Sequence, residues 1–380
     1  MITKTTTGVA LLATGLVSSL ALAADKHEHH DHGVIFTAKG KETNEIRING
    51  RLQYQYDNLY SEDETGAETR TNNFYFRRLR LGAKATLNDG WYAETVYDFA
   101  GQAVSIDKAF IAKKTSIFGQ KAKLIFGLNK TPFGLEETQS SASIPTIERS
   151  AATRFFSDDT DFAVRHGGVA VTTVDKKAEG FVYALHVGNS YQGDNSKTTA
   201  NAETNNTLGM WGRAQYKFDA KNTLVGFDYG HVSDIEDGMD AYTIYGTTKV
   251  GDIKLQAEYF KAEIEETAGY ESDTNAYSLI ASTTIGKWEP VIRYSYVETD
   301  SAKFGIDSDE LIRRSSSTSS SIGAAQGQES EISSLYFGVN YHVSKAVKYM
   351  FGYEMAEAEN FDGTNTNDIS GFRARIQLLF

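Results

Sequence analysis

Arginine and lysine recur at alternate positions in several short segments of this 380-residue chain. That spacing suits electrostatics rather than covalent chemistry. Arg47, Asn49, Arg51, Gln53 and Gln55 alternate with Ile46, Ile48, Leu52, Tyr54 and Tyr56. Arg78, Arg80 and Lys84 oppose Leu79, Leu81, Ala83, Ala85 and Leu87, and Lys121 and Lys123 oppose Leu124, Phe126 and Leu128. Arg213 shares a face with Lys217, Lys254 with Gln256, and Arg293 opposes Ile292 and Tyr294. In the last ten residues Arg373, Arg375 and Gln377 oppose Phe372, Ala374, Ile376, Leu378 and Phe380. Side chains alternate across an extended strand, so each segment carries one basic face and one apolar face. Basic rows facing water between low-dielectric walls concentrate anions and exclude cations.

Residues suited to bond-making chemistry are sparse. No nucleophile elbow G-x-S-x-G occurs, no glycine-rich phosphate loop leads from a strand into a helix, and Cys 0 removes thiolate chemistry and disulfides. His166, His186, His231 and His342 stand apart in sequence, with His186 and His342 read as polar lumen or interface residues. These features argue against an enzyme, and no cofactor is expected. His27-Glu28-His29-His30-Asp31-His32 has metal-ligand chemistry, but with no scaffold around it the reading is a solvated spacer, so no metal site is assigned. The bases alternate along strands instead of forming a patch interleaved with aromatics, so nucleic acid is not an expected partner.

The elements that position the basic faces must be strands. Lys4, the apolar run from Val9 to Leu22 and Ala21-Leu22-Ala23 read as a secretory signal peptide over 1–24. No later segment approaches the roughly 20 apolar residues of a membrane helix. Tyr 21, Phe 21, Gly 33 and only Pro 3 favour paired strands with aromatic belts. After a polar, histidine-rich periplasmic tail at 25–44, sixteen strands are predicted: 45–57, 72–87, 90–100, 105–115, 121–130, 163–174, 179–189, 206–218, 221–231, 240–250, 252–262, 273–285, 287–298, 331–343, 345–356 and 369–380. Short turns at Asn88-Asp89-Gly90, 116–120, 175–178, Asp219-Ala220, Gly251, Gly286 and Ser344 alternate with long polar connections, among them 58–71, 131–162 and 299–330. An even strand count with that alternation specifies an all-β fold, a transmembrane antiparallel β-barrel over 45–380 with short periplasmic turns and long extracellular loops. Closure satisfies every backbone hydrogen bond inside lipid. Trp91, Tyr92, Phe118, Trp288, Tyr336, Tyr349 and Phe351 fall near turns or strand ends, as interface belts require.

Charge on the lipid face costs roughly 2–4 kcal/mol near mid-bilayer, so the strand bases belong in the lumen. Most acids fall in the long connections, Glu62-Asp63-Glu64, Asp158-Asp159 and Glu265-Glu266 among them, with Glu94, Asp98 and Glu258 as the lumen-facing acids. The formal net charge of −12 therefore describes the loops, and the pore is expected to be basic. Charge pattern alone names no particular anion.

The chain resembles the phosphate-selective O and P porins of Gram-negative outer membranes. The residues that carry the resemblance are Gly50-Arg51-Leu52-Gln53, Tyr75-Phe76-Arg77-Arg78, Val96-Tyr97-Asp98, and above all Phe126-Gly127 through Thr131-Pro132-Phe133-Gly134-Leu135-Glu136 to Ser140-Ser141 and Ile147-Glu148-Arg149. Gln256-Ala257-Glu258-Tyr259, Gly338-Val339-Asn340-Tyr341 and Arg375-Ile376-Gln377 follow in order. The resemblance implies a sixteen-stranded homotrimer in outer-membrane lipid that passes small anions such as phosphate or polyphosphate by diffusion. It implies an inward third loop, here 131–162, and basic residues such as Arg51, Arg78 and Arg80 along the solute path. The candidate constriction residues are Lys130, Glu136, Glu137, Glu148, Arg149 and Arg154. The segment departs from the family in having Arg149 and Arg154 as its only bases. A weakly selective or sugar-leaning general porin, or a surface receptor or adhesin barrel, stays open beside the anion reading.

Overall fold

The computed structural model describes residues 34–36, 43–63, 66, 68–101, 103–173, 179–190, 208–218, 223–233, 238–266, 270–301, 304–308, 311–312, 329–361 and 366–380. The segment read as a signal peptide, the His27–His32 cluster and Ser315–Ser321 lie outside them. A short strand β1 (Val34–Phe36) precedes β2 (Thr43–Asp63), β3 (Glu68–Leu87), β4 (Trp91–Asp98), β5 (Ser105–Ile117), β6 (Gln120–Lys130), β7 (Arg165–Thr173), β8 (Gly180–Asn189) and β9 (Leu208–Lys217). Then come β10 (Leu224–Ser233), β11 (Gly238–Val250), β12 (Ile253–Glu266), β13 (Tyr270–Thr283), β14 (Trp288–Thr299), β15 (Glu329–His342), β16 (Val347–Asn360) and β17 (Thr366–Leu379). From β2 onward each strand pairs antiparallel with the next, and β17 closes on β2 with Arg375 opposite Gln55. The result is the closed sixteen-stranded barrel that the alternation predicts, and each predicted strand has its counterpart. The segment read as a polar tail contributes β1, whose Val34 faces Ile48 on the stretch of β2 that lies beyond the end of β17. Phe380 ends the seam by exchanging backbone hydrogen bonds with Gly50 at 2.8 and 3.1 Å.

The last strand shows how the alternation works. Phe372, Ile376, Leu378 and Phe380 are 38–41% exposed on the outer wall, while Arg373, Arg375 and Gln377 are 1–3% exposed inside. Tight turns hold the hairpins; Gly251 and Gly286, at φ 59° and 62°, occupy the left-handed conformation that a side chain resists. Trp91, Phe118, Trp288, Tyr349 and Phe351 lie exposed as an interface belt requires. Tyr92 and Tyr336 are a correction: both point inward and are 3% and 1% exposed. The Tyr336 ring lies where a Cβ on Gly338 or Gly352 would sit, so those glycines make room for it.

The two-residue period breaks at several register shifts among the described strands, and two of these bear on the site. Gln53 pairs with Arg78 and Tyr54 with Phe76, which leaves Arg77 as an extra residue in β3. Val96 pairs with Lys108 and Tyr97 with Ile106, which leaves Asp107 as an extra residue in β5. A bulge inserts one residue into one strand and re-aims its side chain.

The lumen is partly filled by its own loops. The third long connection folds inward through two short helices, α1 (Leu135–Thr138) and α2 (Ala151–Arg154). Phe133, Phe155, Phe156 and Phe162 from this loop, with Ile306, Leu311 and Ile312 from the segment before β15, join Trp211, Phe260, Ile264 and Ala276 of the wall in one buried cluster. Phe156 stacks on Phe260 at 4.9 Å between centroids. One side of the barrel interior is thus an apolar core, not open water.

Candidate functional site

The inward loop crosses the wall strands, and the wall's polar side chains hold it. Gln53 donates to the Ser141 carbonyl at 3.2 Å, Gln377 to Ala142 at 3.2 Å, Lys348 to Ile144 at 3.3 Å and Asn340 to Pro145 at 2.8 Å. Arg375 donates to the Ile147 carbonyl and to the Glu148 carboxylate, and Arg293 donates to the Glu148 carbonyl at 2.7 Å. Arg77 donates through Nε to Glu148 at 2.9 Å. At the loop's entry, Asp228 accepts from the Gly134 amide at 2.9 Å, and Glu258 accepts from the Leu135 and Glu136 amides at 2.5 and 3.1 Å. Backbone groups removed from water need such partners.

This placement divides the expected pore-lining bases. Arg293, Arg373 and Arg375 face inward as the alternation requires, but they lie under the loops at 1–2% exposure and do not line an open pore. Arg293 and Arg373 share Glu354 at 2.5 and 3.1 Å, and Arg373 also donates to the Ile312 carbonyl. Arg78, 6% exposed, donates to Gln53 at 2.9 Å. Arg213 is ion-paired with Asp228 at 2.6 Å and donates to Gly134 and Thr138 of the loop. Arg154 of α2 pairs with Asp158 at 2.7 Å and donates to the Leu311 carbonyl, so it joins two loops instead of facing solute. Glu136, fully buried, accepts from Ser150 and Thr153 at 2.6 and 2.9 Å. These groups are structural, because a buried charge needs an ionic or hydrogen-bonding partner and each of them finds one within the protein.

A second group lies beside the inward loop. Arg51 of β2 donates to the hydroxyls of Ser141 and Ser140 at 2.5 and 2.9 Å, and no carboxylate among the described residues pairs with it. Arg80, Arg149, Arg165 and Asp107 all lie within its electrostatic reach. Arg80 contacts Asp98 at 2.7 Å and Asp107 at 2.8 Å, and Arg165 contacts Asp107 at 3.0 Å. Arg149 pairs with Glu137 at 2.9 Å, and Lys130 pairs with the same carboxylate. Burial pushes the Glu137 carboxyl up, yet Arg149 and Lys130 outweigh it and hold the group below the usual carboxylate range. Arg80, Asp98, Asp107, Asp161 and Arg165 line a cavity of about 280 Å³. Among the described residues, five bases here, Arg51, Arg80, Lys130, Arg149 and Arg165, meet four carboxylates, Asp98, Asp107, Glu137 and Asp161.

The remaining predicted bases lie nearer the short-turn end. Arg47 pairs with Glu45 at 3.2 Å and faces Lys84 across the strands. Lys84 sits 4.6 Å from the Tyr92 ring and opposite Glu94. Lys123 faces Lys114, Lys121 faces Ser116, and Lys254 faces Lys249. The lumen acids are more numerous than the sequence reading of Glu94, Asp98 and Glu258, since Asp57, Asp107, Asp228 and Glu354 are buried or nearly so inside. His166 of β7 and His186 of β8 flank the Trp211 ring at 4.5 and 5.5 Å. Arg77, Asp107 and Arg165 are the site residues that pattern reasoning misses. The consecutive pairs Arg77-Arg78 and Asp107-Lys108 were the available signal, because two adjacent charges in one strand cannot both avoid lipid without a bulge.

Known proteins match this architecture. The family model described as phosphate-selective porin O and P matches residues 46–173 and 157–380. No curated protein matches by sequence. The anion-selective porin from Comamonas acidovorans superposes with a TM-score of 0.61 at 13% identity, over 88% of this chain and 99% of that one. The outer membrane channel DcaP of Acinetobacter baumannii gives 0.59 at 11% identity, over 91% and 99%. OmpT of Vibrio cholerae gives 0.58 at 14% identity, over 91% and 100%. At these identities the superpositions speak for the fold.

Proposed function

Because the chain belongs to the phosphate-selective porin O and P family and is an outer-membrane porin rather than an enzyme, we propose that it passes small anions, phosphate among them, by diffusion past Arg51. The observation that carries this reading is the state of Arg51. Among the described residues it is a base beside the inward loop without a carboxylate partner, and it is held by two hydroxyls that a solute oxyanion can share. An anion can displace water there without first breaking an ion pair. Arg80, Arg149 and Arg165 add positive potential, partly cancelled by the carboxylates they hold. The balance favours anions that enter and leave, which conduction requires.

The organisation that supports this role is a signal peptide at 1–24, a periplasmic segment at 25–44 and the barrel at 45–380. The assembly is a homotrimer, for which the support is the family and the likeness to OmpT of Vibrio cholerae in its trimer form, at a TM-score of 0.53 and 14% identity. The outer wall, with Phe74, Ile111, Val225 and Leu279 at least half exposed, supports lipid as the partner elsewhere. The reading is tested with the purified protein in a planar bilayer under a KCl gradient. Chloride-preferring reversal potentials are expected, and a neutral or potassium-preferring pore would overturn it.

A further inference from the structure

We propose that Asp107 is a tethered counter-ion of the narrowing, which occupies the place of a solute oxyanion between Arg80 and Arg165 and thereby sets how tightly the pore holds multivalent anions. The inference rests on the anion-diffusion reading above. Asp107 reaches its position through a bulge, as the residue of β5 left without a partner between the pairs Val96–Lys108 and Tyr97–Ile106. Its Oδ1 lies 2.8 Å from Arg80 Nη2 and 3.0 Å from Arg165 Nη2, and its side chain is 8% exposed. Two guanidinium groups converging on one oxyanion are what a phosphate or carboxylate solute would itself require. Arg51 and Arg149 lie within electrostatic reach of the same point, and the cavity of about 280 Å³ adjoins it.

The consequence follows from competition. A carboxylate carried by the wall meets these arginines at an effective concentration on the order of millimolar or above, so a dilute free anion rarely displaces it. Without Asp107, Arg80 would keep Asp98, and Arg165 would lose its only carboxylate among the described residues. Arg165 would then face the cavity without a carboxylate in contact, and the cavity lining would carry one fixed negative charge fewer, with Asp98 and Asp161 remaining. Such a site favours a multivalent oxyanion, and a pore that binds too firmly conducts poorly. Asp107 thus trades affinity for throughput.

The test is inorganic phosphate titrated against chloride current through single channels of the full-length protein. Wild type, Asp107→Asn, Asp107→Glu and the exposed turn variant Asp252→Asn are compared. Asp107→Asn is expected to be blocked by phosphate at a concentration lower by roughly tenfold or more, the scale of one uncompensated charge at contact distance. Asp107→Glu and Asp252→Asn should stay near wild type. Should Asp107→Asn fail to insert, Asp107→Ser carries the same comparison. Unchanged or weaker phosphate block in the neutral variant, with wild type still chloride-preferring, overturns this inference alone. A wild-type pore that does not prefer chloride would instead overturn the reading on which it rests.

Discussion

Arg77 and Glu148 meet inside the barrel at 2.9 Å, one delivered by a bulge in β3 and the other by the inward loop. Arg375 reaches the same carboxylate from β17, so Glu148 ties the loop to two wall strands. The position of the loop therefore depends on largely buried ion pairs. Removing one partner of a buried pair typically costs about 3–5 kcal/mol because the other charge is stranded. Glu148→Ala should lower the thermal unfolding midpoint in detergent and raise single-channel conductance as the loop loosens. Unchanged conductance and midpoint would show that the loop is held by its carbonyl contacts alone.

The apolar part of the lumen makes a separate prediction. Phe156 is fully buried between loop and wall, stacked on Phe260 and tilted against Phe133. Truncating a buried phenylalanine typically costs about 3–5 kcal/mol. Phe156→Ala should destabilise the barrel on that scale while leaving charge selectivity near wild type. A large selectivity change without loss of stability would place Phe156 on the solute path instead.

Two loop acids respond to pH in opposite directions. Burial, with Asp158 and Asp307 nearby, pushes Asp159 well above the usual carboxylate range. Glu137 is held below that range, since Arg149 and Lys130 outweigh its burial. A raised carboxyl means the folded state binds the proton more tightly, so the contribution of Asp159 grows as pH falls from neutrality toward the ordinary carboxylate range. The Glu137 contribution is present above that range and is lost as pH falls through its lowered value. Thermal midpoints across this pH interval should rise and then fall on acidification, and Asp159→Asn should remove the rise. A wild-type midpoint that falls steadily from pH 7 would contradict this.

Strand count, closure and the inward direction of Arg373 and Arg375 were legible in the sequence, because lipid on one side enforces a strict two-residue period. The period failed where the backbone did. Arg77 and Asp107 sit on bulges, so counting by twos assigns Arg77 to lipid and never brings Asp107 between Arg80 and Arg165. Burial was also invisible: Arg293 and Arg213 look alike to a pattern reader whether they meet water or a loop carbonyl. The contacts that Gln53, Lys348 and Gln377 make to the segment 131–162 were not legible, because those residues lie 88 to 235 positions away in sequence, on other strands. The apolar lumen core escaped notice because Ala262, Ala276 and Ile264 occupy inward positions that alternation reserves for polar groups.

The most direct test compares reversal potentials of wild type, Arg51→Ala and Arg293→Met under one KCl gradient. Arg51, the base proposed to meet the solute, holds two hydroxyls and no carboxylate among the described residues, whereas Arg293 is enclosed with Glu354 and a loop carbonyl. The chloride preference should fall roughly twofold to tenfold in Arg51→Ala, as loss of one fixed charge at a focused narrowing implies. In Arg293→Met it should persist in channels that still insert. Equal loss in both variants, or an unchanged preference in Arg51→Ala, would contradict the assignment of Arg51 as the base that meets the anion.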